Sequence, residues 1–198
     1  MGADEIEGVL AFLRAAERLK TVLRSGWTSA GQQESVAEHT WRLCLMAMLL
    51  YGRTPQVDLA RLLKMCLVHD LGEAIGGDVP APSQLAGVSK ADQERRDLLQ
   101  LMAPLPPVLQ QEILALWEDY EAAASPEAKI AKGLDKLETI LQHNQGRNPV
   151  DFDYTFNLDY GRQYTGGDAI MAAVRERLDR DTARNAQKRE EVAPEKRR

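Results

Sequence analysis

The chain has 198 residues, 44% of them apolar and 6% aromatic, and a net charge of −5. This is a globular balance at a length that buries roughly 70% of the surface the unfolded chain exposes. The acidity excludes a broad electrostatic grip on nucleic-acid polymers, which needs a basic surface, but not a small phosphate-bearing ligand, which needs only a local cation. No apolar run approaches the ~20 residues that span a bilayer. The stretch Met1 to Glu7, with Asp4, Glu5 and Glu7, lacks the basic and apolar blocks of a secretory signal. The expectation is a cytoplasmic protein without a membrane partner.

Helical periodicity dominates and strand-like alternation is nearly absent, which predicts an all-α helical bundle in a single domain. The first helix is expected over residues 4–24, with Ile6, Val9, Leu10, Leu13, Ala16 and Leu23 on its buried face. Ser35-Val36-Ala37-Glu38 is a capping box that opens a second helix to about Tyr51. Thr54-Pro55 is read as the start of a third, whose apolar Leu59, Leu62, Leu63 and Cys66 lead to His69. Residues 72–89, rich in Gly, Pro and Ser, read as a loop. Further helices are expected from Ser89 to Met102, from 107 to 123, from Ser125 to about Asn144 and from 167 to 184. An aromatic stretch with Phe152, Tyr154, Phe156 and Tyr160 precedes the last of these and reads as core, as substrate cover or as an oligomer contact. The boundaries are drawn at 1–180 for the domain and 181–198 for a charged, flexible tail. Cys44 and Cys66 lie in apolar helical patterns and read as core thiols.

There are three histidines, and His39 and His69 both fall on apolar helical faces. Asp70 follows His69 directly, and Asp135 stands one position off the apolar stripe of Ile130, Leu134, Leu137 and Leu141. Two imidazoles and two carboxylates suit one divalent ion of the Mn, Fe, Co, Ni or Zn kind, with Mg also admissible. Their main alternative is a set of satisfied core residues. Spacing across separate helices leaves both readings open.

The text Glu34-Ser35-Val36-Ala37-Glu38-His39, then Leu67-Val68-His69-Asp70-Leu71-Gly72-Glu73-Ala74, Gly77-Asp78-Val79-Pro80, Leu116-Trp117-Glu118-Asp119-Tyr120-Glu121 and Leu134-Asp135-Lys136-Leu137-Glu138 resembles the HD-domain metal-dependent phosphohydrolases. It is most similar to their bacterial 5'-deoxynucleotidase branch and its eukaryotic HD-domain-containing relatives. The resemblance runs over roughly residues 8–145. It implies that His39, His69, Asp70 and Asp135 are metal ligands, that Glu73 and Asp78 are acid/base carboxylates, and that Arg24 and Trp27 contact phosphate and sugar. The bacterial enzymes have that Arg and Trp adjacent, whereas here Ser25-Gly26 separates them, as in the eukaryotic relatives. The implied activity is hydrolysis of a nucleoside 5'-monophosphate by a homodimer. A triphosphohydrolase or other phosphomonoesterase of the same fold, and a non-catalytic helical binding protein, are the competing expectations.

Overall fold

A computed structural model describes residues 1–78 and 90–192. Val79, Pro80, Ser89 and residues 193–198 of the expected tail lie outside the described residues. The elements in order are α1 (Ala3–Ala16), a 3-10 segment (Glu17–Lys20), β1 (Leu23–Trp27), β2 (Gln33–Ser35), α2 (Val36–Tyr51), α3 (Leu59–Val68), α4 (Glu73–Gly76), α5 (Lys90–Met102), α6 (Pro107–Ala122), α7 (Pro126–Gln145), α8 (Phe156–Asp159), α9 (Arg162–Thr165) and α10 (Ala169–Val192). The class is all-α as expected, with β1 and β2 forming one small two-stranded sheet. Among the described residues no helix is long and apolar enough to cross a membrane.

The fold groups into two compact units. The first holds residues 1–25 and 34–131, and the second holds residues 26–33 and the chain from Lys132 onward. In the first unit α3 packs on α2 and α6, α5 packs on α1, α4 and α6, and the 3-10 segment lies against α2 and α4. Its core includes Leu43, Ala47, Tyr51, Leu62, Met65, Leu98 and Met102.

Three expectations for this unit are corrected. The first helix ends at Ala16 rather than 24. A 3-10 turn carries the chain from Glu17 to Lys20, β1 begins at Leu23, and the Val22 carbonyl is taken by the backbone N–H of Val36 at 3.0 Å. The buried residue of α1 is Phe12, flanked by half-buried Gly8, Val9, Ala15 and Ala16, while Ile6, Leu10 and Leu13 are exposed. The aromatic ring, with more area to bury, sets which face turns inward. The third helix begins at Leu59, not at Pro55, because Asp58 is its N-cap. The Asp58 carboxylate accepts from the Arg61 backbone N–H at 3.0 Å, and its own N–H donates to Glu127 at 2.9 Å. Cys66 is buried as expected, but Cys44 is only half-buried; both are free thiols.

In the second unit α10 packs on α8 and α9 and runs eight residues past the expected end at 184. Its Arg175 donates to the carbonyls of Asn157, Leu158 and Tyr160 and to Asp179. Arg189 does the same for the carbonyls of Asn148, Pro149 and Val150. These carbonyls lie in the one-turn helix α8, just after it, or in the loop past α7, where no long helix ladder takes them up. The aromatic stretch is partly core: Tyr154 is buried and Phe156 is exposed. The third histidine, His143, meets the Asn157 side chain at 2.9 Å and the Phe152 ring edge-on at 4.8 Å.

Candidate metal centre

The capping box holds His39 in the first turn of α2. The Glu38 backbone N–H donates to Ser35 Oγ at 3.2 Å, and the Ser35 N–H donates to the Glu38 carboxylate at 2.7 Å. Such a cap contributes about 1 kcal/mol and fixes where the helix starts. His69 is the C-cap of α3. Its carbonyl accepts from Trp117 Nε1 at 3.1 Å, and its ring lies 5.1 Å from that of Tyr120, so α6 sets the end of α3 from two points. Both histidines are buried.

His69 Nε2 stands 3.0 Å from Asp70 Oδ2, and His39 Nε2 stands 3.9 Å from the same oxygen. Donor atoms of the three residues all lie within 4.8 Å of one another, with the two rings 5.5 Å apart. His69 Nδ1 meets the Cys66 carbonyl at 2.9 Å. That contact selects the tautomer with the proton on Nδ1 and turns the Nε2 lone pair toward Asp70, the second-shell arrangement typical of a metal-bound imidazole. Two neutral imidazoles and a carboxylate converging on one point fit a divalent transition metal.

Glu73 follows as the first residue of α4 rather than on a continuation of α3. This short helix sits close on α5: a Cβ added at Gly72 would come within 2.8 Å of the Glu94 carbonyl oxygen. Glu73 is buried, and its Oε2 has no hydrogen-bond partner among the described residues. Burial foremost, then the charges of Asp70 and Asp78, push its carboxyl up to about 10, against the opposing pull of Arg24 and Lys90. Burial likewise raises Asp78; Arg24 opposes it and Asp70 adds to it. A lone acid titrating this far from its usual range beside a second raised acid is a mark of functional sites.

Arg24 is the central cation. It reaches Asp70 Oδ2 at 3.2 Å and Glu34 Oε2 at 3.6 Å, and Glu34 Oε1 lies 3.4 Å from Arg42. Lys90, at the start of α5, pairs with Glu94 at 3.0 Å. Burial works against its charge, but Glu94, Asp70 and Glu73 raise it above the usual lysine range. Glu34 and Trp117 are the residues sequence reasoning passed over. Both lie inside the motif text, but only burial and partners give them roles.

The structure therefore brings together His39, His69, Asp70 and Arg24, with Glu73 and Asp78 in electrostatic reach. Asp135 and Trp27 belong to the second unit. There Asp135 is buried on α7 and accepts from Lys136 Nζ at 2.7 Å. Lys136 Nζ lies 5.4 Å over the Tyr160 ring. Burial opposes the Lys136 charge, yet Asp135 and Tyr160 hold its pKa above the usual range. The next residue after Tyr160 must be glycine: Gly161 has φ +68°, and a Cβ there would meet Lys136 Cβ at 2.6 Å. The Trp27 carbonyl accepts a hydrogen bond from the Gln142 side chain.

The chain has relatives among known proteins. It is 39% identical over 145 residues to the 5'-deoxynucleotidase HDDC2 of Danio rerio, covering 71% of this chain and 70% of that one. It is 37% identical over 157 residues to the 5'-deoxynucleotidase HDDC2 of Homo sapiens, covering 74% and 76%. Among solved structures, a predicted metal-dependent phosphohydrolase of Magnetospirillum magnetotacticum MS-1 superposes with a TM-score of 0.75 at 27% identity, over 91% of this chain and 94% of that one. The HD domain family profile matches residues 16–175, a span that takes in residues of both units, and the chain belongs to the HD domain family.

Proposed function

We propose that the protein is a metal-dependent phosphohydrolase that cleaves nucleoside 5'-monophosphates, deoxynucleotides above all, to nucleoside and phosphate. The observation that carries this is the convergence of His39, His69 and Asp70 beside Arg24, with two raised carboxyls next to them. The relatives named 5'-deoxynucleotidase support the substrate class.

His39, His69 and Asp70 are assigned to hold the cation; the motif resemblance adds Asp135 as a ligand and Trp27 as a sugar contact. A divalent ion of the Mn, Fe, Co, Ni or Zn kind supplies Lewis acidity and lowers the pKa of the attacking water. Arg24 offers the phosphate a planar fork of N–H donors. Glu73 and Asp78 form the acid/base pair: one takes the proton of the attacking water and the other gives its proton to the leaving 5'-oxygen. Each such transfer is worth 10²–10⁴ in rate as an order of magnitude. Glu73, the group pushed up to about 10, is the proton-holder in the metal-free protein.

The test is a screen of nucleoside mono- and triphosphates with Co, Mn and Mg, with and without chelator. Phosphate release from monophosphates that chelator abolishes is expected; tripolyphosphate as product, or no turnover with any metal, would overturn the reading. We also propose a cytoplasmic homodimer built on the outward stripe of α2, where Trp41, Met48 and Leu49 are 67%, 47% and 71% exposed. Light scattering should give twice the 22.1 kDa chain mass.

A further inference from the structure

Glu34 is the middle residue of β2, one residue before the α2 cap, and is 3% exposed. A buried carboxylate needs cationic partners, and this one has two: Arg24 Nε at 3.6 Å and Arg42 Nη2 at 3.4 Å. Arg24 is itself well covered, at 12% exposure, and its Nη1 donates to Asp70 Oδ2 at 3.2 Å. Because a guanidinium is planar, fixing its Nε edge fixes the direction in which the other N–H groups point. Without that brace the guanidinium is able to turn further onto Asp70, which it already touches. The arginine would then close on it two-pronged, the strongest geometry available to that pair, and withdraw from any phosphate.

We infer that Glu34 is a positioning residue: its carboxylate braces the Nε edge of Arg24 beside Asp70 and keeps the guanidinium aimed for a substrate phosphate. This rests on the assignment of Arg24 to the phosphate in the proposed function. Arg42 shares the carboxylate and leaves the trio with one net positive charge, which suits an anionic substrate.

The experiment uses the full-length metal-loaded protein with a deoxynucleoside 5'-monophosphate and compares wild type, Glu34→Gln, Glu34→Asp, Arg24→Ala and Arg24→Ala/Glu34→Gln. Glu34→Gln should raise KM about tenfold or more, the loss expected for one charge-assisted hydrogen bond, with kcat within about threefold of wild type. Calorimetry with inorganic phosphate should show the same weakening, while inhibition by the nucleoside product stays unchanged. The metal content, by mass spectrometry, should match wild type. Glu34→Asp should recover part of the loss, and Glu34→Gln should add nothing to Arg24→Ala. Unchanged KM and phosphate affinity, loss of bound metal, or independent multiplication of the two substitutions would each overturn the inference. If Glu34→Gln does not fold, Glu34→Asp decides by the same readouts, with wild-type values overturning it. A wild-type protein inert toward every nucleoside monophosphate would instead overturn the functional reading.

Discussion

Arg175 and Arg24 are both well-covered arginines, one in each unit, with side chains 7% and 12% exposed. Arg175 meets three backbone carbonyls and a single carboxylate, Asp179 at 2.7 Å. That carboxylate also meets Arg162 at 3.4 Å, and Arg175 takes up C=O groups in and after the short α8 that would otherwise be bare. Arg24 meets carboxylates instead, and beyond Glu34 and Asp70 lie the acids Glu73 and Asp78, both pushed toward their neutral forms. A network built for stability closes on neutral partners. One built for chemistry crowds like charges and is stable only when something further, a cation or a proton, joins it.

The sharpest way to break this contrast is Asp70→Ala. Asp70 is the carboxylate that both imidazoles and Arg24 share. Turnover should fall to background and bound metal, read by mass spectrometry, should be lost. Retained metal with normal turnover would mean that the convergence of His39, His69 and Asp70 is a structural cluster like that of Arg175. Next in size is Glu73→Gln, which keeps shape but cannot transfer a proton; kcat should drop by about 10²–10⁴ with metal content unchanged. Wild-type kcat would remove Glu73 from the chemistry.

Arg175→Ala probes the other side. It leaves the Asn157 and Tyr160 carbonyls without their charged donor, while Leu158 keeps Arg162, a loss of about 3 kcal/mol. At roughly 2–4 °C per kcal/mol for a chain of this size, Tm should fall by about 6–12 °C. A Tm within a degree of wild type would show that water satisfies those carbonyls as well as the arginine does.

The all-α class and the cap at Ser35 and Glu38 were legible in the chain because each is a local pattern, a helical period and a four-residue box; the pairing of His39 with His69 and Asp70 spans separate helices and was expected only from the motif resemblance. The end of α1 was not legible, since the turn out of helix at Thr21 and Val22 is tied to the Val36 N–H from fourteen residues on. Its buried face was misjudged because Ile6, Leu10 and Leu13 are spaced as well as Phe12 is, and only packing on α5 chooses between them. Glu34 reads in sequence as one more surface acid, and nothing local says that two guanidiniums converge on it. Arg175 sits in a charge-rich helix that looks solvated throughout, because carbonyls in and after the short α8 leave no trace in residue type.

The last contrast distinguishes the two regions by pH. In the unfolded chain Glu73 ionises near ~4.3; in the metal-free fold its carboxyl is pushed up to about 10, by burial first and by Asp70 and Asp78 next. Between those values the folded state keeps a proton that the unfolded state has released. Stability therefore falls as pH rises through that window, and the group contributes nothing below it, where both states are protonated. In chelator, the Tm of wild type should fall more steeply from about pH 5 to 9 than that of Glu73→Gln, which has no proton to lose, with the curves meeting at the acid end. Arg175→Ala has no such signature, because a guanidinium stays charged over the whole range; its Tm curve should run parallel to wild type, lower by a constant amount. Parallel curves for Glu73→Gln as well would mean that Glu73 is solvated in the folded protein, and the crowding of acids that sets the first unit apart from the second would be gone.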